Sequence, residues 1–353
     1  MPSLDSLTPD RHQQIIMAMS ANQNVVVKGV AGSGKSLILL KKAKQISTFS
    51  DSYVIIVYTK TLKEFFVDEL AEIDQTGDHV YYFKEWERSA KPHVDYMFVD
   101  ECQDFNAGEI EDFRNHGKYC WFFGDTDQSI MARNPTTTSP GRSVQSVEDT
   151  AQQIGVHTQP LGMNHRLTIE NAKVGEYIKP ATRLSMACYK HGPKPLQINS
   201  VSQLDEVVKI YQNNGFVDIG ILAYYNNQIG DIKEYFRAKG LPIEWKTNDE
   251  MTIDLKSTNP KVITFHCAKG LQFENVFIPL CEKYNNRSRY ANDIKNALYV
   301  ACTRPLTQLC LVYSGNLGDF LPPATSNIYD ARQVQQAQNM NPVNIVDPDD
   351  LPF

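Results

Sequence analysis

No C-x-x-C pair occurs in the 353 residues, although seven cysteines are present. They are scattered at Cys102, Cys120, Cys188, Cys267, Cys281, Cys302 and Cys310, odd in number and without the spacing of a zinc or iron–sulfur ligand set. Buried, reduced thiols are therefore expected. No apolar run approaches the roughly 20 residues that a bilayer-spanning helix needs. The opening segment, MPSLDSLTPDRHQQ, lacks the basic and apolar regions of a signal peptide. A cytoplasmic protein with no membrane partner is expected. Positive charge is scarce as well: 35 Lys and Arg against 41 Asp and Glu leave a net −6. That balance excludes coating of nucleic acid by bulk attraction, but not a local groove.

What is present is globular, with 42% hydrophobic and 22% charged residues over a length that suits two domains. Short apolar runs alternate with helical-period segments, the pattern of parallel α/β units. NVVVKG (24–29), YVIIVY (53–58), HVYYF (79–83), YMFVDE (96–101) and YCWFFGD (119–125) read as buried strands, with helices at 35–47 and 61–74. After a polar loop, NPTTTSPGRS (134–143), a strand falls near HTQPL (157–161). The theme then repeats in strands DIGILAY (218–224), KVITFH (261–266), NVFIPL (275–280) and LCLVYS (309–314). Helices are predicted at 167–178, 201–213, 228–239 and 292–302. The reading is α/β: two domains with parallel sheets, 1–158 and 159–322, then a polar linker and acidic tail, 323–353.

GVAGSGKS fits G-x-x-x-x-G-K-[ST] at Gly29, Gly34, Lys35 and Ser36, with Gly32 inside the turn. It follows a strand and opens a helix, the context of a phosphate site. Backbone N–H groups and the helix N-terminus would cradle phosphates, Lys35 would reach the β- and γ-phosphates, and Ser36 would ligate Mg²⁺. MFVDECQD supplies a second carboxylate on the metal side. Asp100 ends an apolar strand, and Glu101 beside it suits a general base for an attacking water. Two acids at a strand end also describe a solvated turn; the phosphate loop upstream favours the catalytic assignment. In GDTDQSI, Gln128 suits a hydrogen bond to the γ-phosphate or to the water.

GVAGSGKS, VDECQD, GDTDQSI, LGMNHR, VITFHCAKGLQFENVFI and NALYVACTR stand in the order and spacing of superfamily 1 helicases, and the set resembles the UvrD/Rep branch. The resemblance implies two RecA-like P-loop domains with ATP and Mg²⁺ in the cleft between them. It further implies an ATP hydrolase that translocates on single-stranded DNA in repair, replication or defence, with 3′→5′ polarity. Residue by residue, it places Gln13 in the adenine-recognition segment LTPDRHQQ, in preference to Gln14. His165 stands where the family stacks a Tyr on the base. Arg166 and Arg304 match the arginine fingers. Gly270 and Gln272 of KGLQF fall at the ribose contact, with Gln272 replacing the usual Glu.

For the DNA track the resemblance points to Tyr58, Thr59 and Lys60 in VYTKTLK, and to Thr264 and His266 in ITFHCAKG. Lys63, Phe83, Lys84 and Trp86 are further candidates; the aromatics read equally well as core. MARNP (131–135) replaces the family's base-stacking aromatics. The two large accessory insertions of UvrD and Rep are missing. A second reading, a nucleotide-switched regulator of a partner nuclease or repair enzyme, stays open. A plain P-loop kinase leaves the two arginines and FHCAKGLQF unexplained.

DPDDLPF (347–353) resembles the tip of bacterial single-stranded-DNA-binding proteins. That resemblance implies a docking tail in which Phe353 fills an apolar pocket. Asp349 and Asp350 would meet a basic rim, with Leu351 and Pro352 between. The alternatives are a solvated acidic terminus, or a tail folded onto its own chain.

Overall fold

The computed structural model describes residues 8–72, 77–130, 143–247, 253–288 and 290–331. The segment MARNP and the tail from Asp347 to Phe353, including Asp349, Asp350, Leu351 and Pro352, lie outside the described residues. The chain divides into two compact units whose junction falls between His165 and Arg166.

Unit 1 opens with α1 (Arg11–Ala18), whose start is fixed by reciprocal capping. Asp10 Oδ1 accepts the Gln13 N–H at 2.8 Å, and Gln13 Oε1 accepts the Asp10 N–H at 2.9 Å. There follow β1 (Val25–Gly29), α2 (Lys35–Ser47), β2 (Tyr53–Val57), α3 (Lys60–Glu72), β3 (Val80–Tyr82) and α4 (Phe83–Arg88). The unit continues through β4 (Val94–Val99), α5 (Ala107–His116), β5 (Gly117–Gly124), α6 (Val147–Ile154) and β6 (Thr158–Leu161). Its six strands pair in the order β3-β2-β4-β5-β1-β6, in parallel throughout the described residues.

A parallel sheet is covered on both faces, so its strands are continuous apolar runs. Successive residues feed opposite cores. Val25, Val27, Ile55, Val57, Phe98, Trp121 and Phe123 pack with Ile38 and Leu39 of α2. Val26, Val54, Ile56, Met97, Val99 and Phe122 pack with Ile110 and Phe113 of α5. Burial of each such side chain stabilises the unit by roughly 1.5–3 kcal/mol.

The junction passes through β7 (Asn164–Thr168). Unit 2 then runs through α7 (Ile169–Ile178), α8 (Leu184–Ala187), β8 (Cys188–Lys190), β9 (Leu196–Asn199), α9 (Gln203–Asn213), β10 (Ile219–Ala223) and α10 (Asn226–Ala238). It ends with β11 (Glu244–Lys246), β12 (Lys261–Thr264), β13 (Phe273–Ile278), α11 (Ala291–Cys302), β14 (Pro305–Tyr313) and β15 (Asp330–Ala331). Its sheet has the order β11-β12-β10-β13-β14-β9-β15, again with parallel pairings.

Two divisions drawn from the sequence fall differently. Residue 158 is the first of β6, which pairs with β1 and so belongs to the first sheet. The second sheet reaches past 322, because β15 pairs with β9. The seven cysteines are buried and none forms a disulfide. No helix among the described residues is long and apolar enough to cross a membrane.

Candidate active site

β1 ends at Gly29 and α2 begins at Lys35, so the intervening turn reverses the chain at a strand end. Gly32 and Gly34 hold φ of 68° and 84°, the left-handed region that glycine adopts without strain. A Cβ on Gly34 would lie 2.4 Å from Gln13 Nε2. The buried Lys35 ammonium donates to the loop's own carbonyls, Gly29 O at 3.0 Å and Val30 O at 3.2 Å. Ser36 Oγ donates to Asp100 Oδ2 at 3.0 Å. That bond joins the first turn of α2 to the end of β4, two places that are 64 residues apart in the chain.

Asp100 continues the β2–β4 ladder through its N–H to Ile56 O at 3.0 Å. Burial, followed by the charge of Glu101, raises its pKa from the ordinary 3.8 to about 7, against the opposing pull of Lys35 and the Ser36 hydroxyl. A buried carboxylate in this condition favours a cation. Glu101 is left-handed, with φ 52° and ψ 45°, and its N–H donates to Asp100 Oδ1 at 3.0 Å. Next to it lie two groups that the sequence reading passed over. Gln103 Nε2 donates to Glu101 Oε2 at 2.5 Å, and Gln103 Oε1 accepts the Asp125 N–H at 2.9 Å. Asp125 Oδ2 in turn accepts from Gln128 Nε2 at 2.7 Å. All four side chains are buried. The available signal was that VDECQD and GDTDQSI end strands that become neighbours, β4 and β5.

On the α1 side, the buried Gln13 donates from Nε2 to Ser33 O at 2.9 Å, whereas Gln14 is exposed and donates to Pro9 O. Of the two, Gln13 is the one tied to the loop. His165 lies beside it: its N–H donates to Gly32 O at 2.9 Å, and its Nε2 sits 2.7 Å from Asp10 Oδ2. Asp10 is held below the ordinary carboxylate range: partial burial opposes this, but hydrogen bonds from Gln13 and His165 prevail.

In unit 2, Arg166 and Arg304 meet at one residue. Arg166 Nη1 donates to Thr303 O at 3.5 Å, and Arg304 Nη2 donates to Thr303 Oγ1 at 2.9 Å. Arg304 is wholly buried, and it also donates to Val300 O and Leu271 O at 2.9 and 3.2 Å. These bonds brace Arg304 within its own unit. Gly270 has φ 82°, and Gln272 is half-buried.

The nucleic-acid candidates separate by exposure. Lys60 is exposed, its Nζ 5.6 Å from the centroid of the Tyr82 ring. Half-buried Tyr58 stacks on Phe83, and Thr59 Oγ1 accepts the Leu62 N–H at 3.2 Å at the start of α3. Lys63 is paired to Glu85 at 2.8 Å. Thr264 and His266 are buried: Thr264 Oγ1 accepts the Cys267 N–H at 3.2 Å, and the Tyr224 ring lies 5.6 Å from His266. Burial, and then Lys269, lowers the His266 pKa to about 3, so the ring is neutral. Phe83 and Trp86 are core, with Trp86 Nε1 donating to Asp112 Oδ2 at 2.9 Å.

The chain fits a magnesium-bound nucleoside triphosphate on these observations: a glycine turn at a helix N-terminus, a retracted lysine, and a hydroxyl bonded to a buried carboxylate whose pKa is raised. Among the described residues no group of three or more His, Cys, Asp or Glu forms a further metal cluster.

Residues 25–210 match the model of the viral superfamily 1 RNA helicase core domain, and residues 245–316 match that of the UvrD-like helicase C-terminal domain. The UvrD-like match is thus confined to unit 2. No curated protein matches the chain. Among solved structures it is similar to the C-terminal domain of a possible DNA helicase from Lactobacillus plantarum WCFS1, at 18% identity over 47% of this chain and 97% of that one, with a TM-score of 0.38. It is also similar to arterivirus nonstructural protein 10, a helicase, at 15% identity over 88% of this chain and 63% of that one, with a TM-score of 0.47. The complex of that helicase with DNA matches at 15% identity over 88% and 64%, with a TM-score of 0.45. The chain therefore spans less than two thirds of the arterivirus protein.

Proposed function

Because the chain belongs to the viral superfamily 1 RNA helicase core family, whose members hydrolyse nucleoside triphosphates, we propose that it is an ATP-driven motor on single-stranded nucleic acid, with DNA as the substrate on the strength of the UvrD-like match over residues 245–316. The observation that carries this reading is the 3.0 Å bond between Ser36 Oγ and Asp100 Oδ2, which brings phosphate loop and strand-end acid into one site. Ser36 and Asp100 would hold Mg²⁺, which when bound neutralises phosphate charge. Lys35 exchanges the two loop carbonyls for phosphate oxygens. Glu101 takes a proton from the attacking water, and Gln128 offers its amide to that water or to the phosphate. Gln13 and His165 frame the base. Movement with 3′→5′ polarity, as in the UvrD/Rep branch, is the finer part of the proposal, supported by the UvrD-like match over residues 245–316.

Phosphate release from ATP, measured at low salt with and without single-stranded DNA or RNA, tests the core of it. Stimulation by DNA is expected, with turnover lost in Lys35→Ala. Stimulation by RNA alone reassigns the substrate, and equal rates in wild type and Lys35→Ala refute the site. Strand displacement from a 3′-tailed duplex, but not a 5′-tailed one, is the expected polarity result.

A further inference from the structure

Glu101 and Gln128 sit at the ends of different strands, 27 positions apart by number, yet a single side chain links their surroundings. We propose that Gln103 is a positioning residue that locks the Glu101 carboxylate to the end of β5, so that Glu101 and Gln128 act as one unit. The proposal rests on the reading of this site as a triphosphate hydrolase.

Gln103 has no exposed surface, and both ends of its amide are used. The Nε2 end donates to Glu101 Oε2 at 2.5 Å, and the Oε1 end accepts the Asp125 N–H at 2.9 Å. These partners fix the amide's orientation. Rotated by half a turn, it would set oxygen against carboxylate and N–H against N–H. Asp125 passes the constraint on, since its Oδ2 accepts from Gln128 Nε2 at 2.7 Å and its carbonyl accepts the Gln128 N–H at 2.9 Å. Ser129 Oγ donates to Gln103 O at 3.3 Å, so the same residue also holds the chain just after Gln128. Gly124 makes room for the link: a Cβ there would lie 2.6 Å from Gln103 Oε1. A buried amide donor to a carboxylate is among the stronger protein hydrogen bonds. It removes rotamer freedom that Glu101, on its left-handed backbone, would otherwise retain.

The test is steady-state ATP hydrolysis by the full chain with saturating single-stranded DNA, for Gln103→Met, Gln128→Ala and the double variant. Gln103→Met keeps the volume and removes both hydrogen bonds. The expected loss is about 10- to 100-fold in kcat, with KM for ATP within roughly 2-fold. The double variant is expected to be little worse than the poorer single one, because residues acting as a unit are not additive. An unchanged kcat in Gln103→Met, or losses that multiply, overturns the proposal. Gln103→Glu covers the case in which Gln103→Met fails to fold: it retains an acceptor for the Asp125 N–H and sets a second carboxyl group against Glu101 in place of the amide donor. The same kcat loss is expected, and wild-type kcat in Gln103→Glu is equally fatal. Wild-type protein without turnover refutes the hydrolase reading, and the link with it. Turnover in wild type with an intact Gln103→Met refutes the link alone.

Discussion

Glu101 sits in a backbone region that costs a residue with a Cβ about 1–2 kcal/mol, and the turn it makes aims the acids at the end of β4. Glu101→Gly removes both the strain and the carboxylate. Compared in the Gln103→Met background, where the bond to the carboxylate is already absent, its stability in urea is expected to rise by about 1 kcal/mol, with turnover lost; a fall in stability there would show that the turn is unstrained. Asp100 stores a second cost, one that depends on pH. Burial and then Glu101 raise its pKa from 3.8 to about 7, so between those values the folded state keeps a proton that the unfolded chain has released. The folded state binds more protons across this window, and stability falls as pH rises through it. Asp100→Asn deletes the titration while retaining a group for Ser36 to bond. The variant is expected to exceed wild type in stability by a margin roughly 2 kcal/mol larger at pH 8 than at pH 5. Equal margins in denaturant titrations at the two pH values would refute the assignment.

Elements meet through residues that sequence patterning hides, and Lys42 is the clearest of them. It lies on α2, almost wholly buried, and its ammonium donates to Met17 O at 2.7 Å, Met19 O at 2.6 Å and Gln45 Oε1 at 3.0 Å. A cation on the last carbonyls of α1 satisfies them and complements the helix dipole. Lys42→Met orphans those carbonyls, and a loss of about 2–3 kcal/mol is expected. Because α1 carries Gln13 onto Ser33 O, hydrogen exchange should quicken across Arg11–Ala18, and nucleotide affinity should drop. Unchanged exchange in that helix would sink the prediction. Much else at this scale was legible. The helix predicted at 35–47 matches α2 end to end, because a strand, a glycine turn and an amphipathic run adjoin there. The all-apolar β2 declared itself because both its faces are covered. β9 and β11 did not, being short runs that mix polar with apolar residues. The mostly polar α5 is started by Asn106 capping Glu109 rather than by a strong apolar stripe. The end of HVYYF turns helical at Phe83, where Glu85 accepts the Tyr82 N–H. In the site, glycines, lysine and acids were legible because phosphate chemistry demands those types in sequence. Gln103 and Asp125 were not, since their link forms only when β4 and β5 become neighbours.

At the scale of the whole molecule, each sheet is built on its own apolar clusters, and the place where unit 1 ends decides whether its loop is supported. β6 pairs along β1 from Val26↔Thr158 to Gly29↔Leu161, and the Val30 N–H donates to Leu161 O at 3.2 Å. Leu161 enters the core shared by Val25 and Val27. Pro160 is tolerated there because β6 is the edge strand, with no further ladder to supply. Beyond it, Asn164 Nδ2 donates to Ala31 O at 2.5 Å and the His165 N–H donates to Gly32 O at 2.9 Å. Residues 159–165 therefore hold β1 and the glycine turn from one side. A fragment ending at residue 165 is expected to melt cooperatively and to bind a fluorescent ATP analogue. A fragment ending at 158 loses the strand, the Leu161 contact and three bonds to the loop. It is expected to melt at least several degrees lower and to bind the analogue at least 10-fold more weakly. Matching melts and affinities for the two fragments would show that the loop is held by β1 and α2 alone, and the boundary would return to 158.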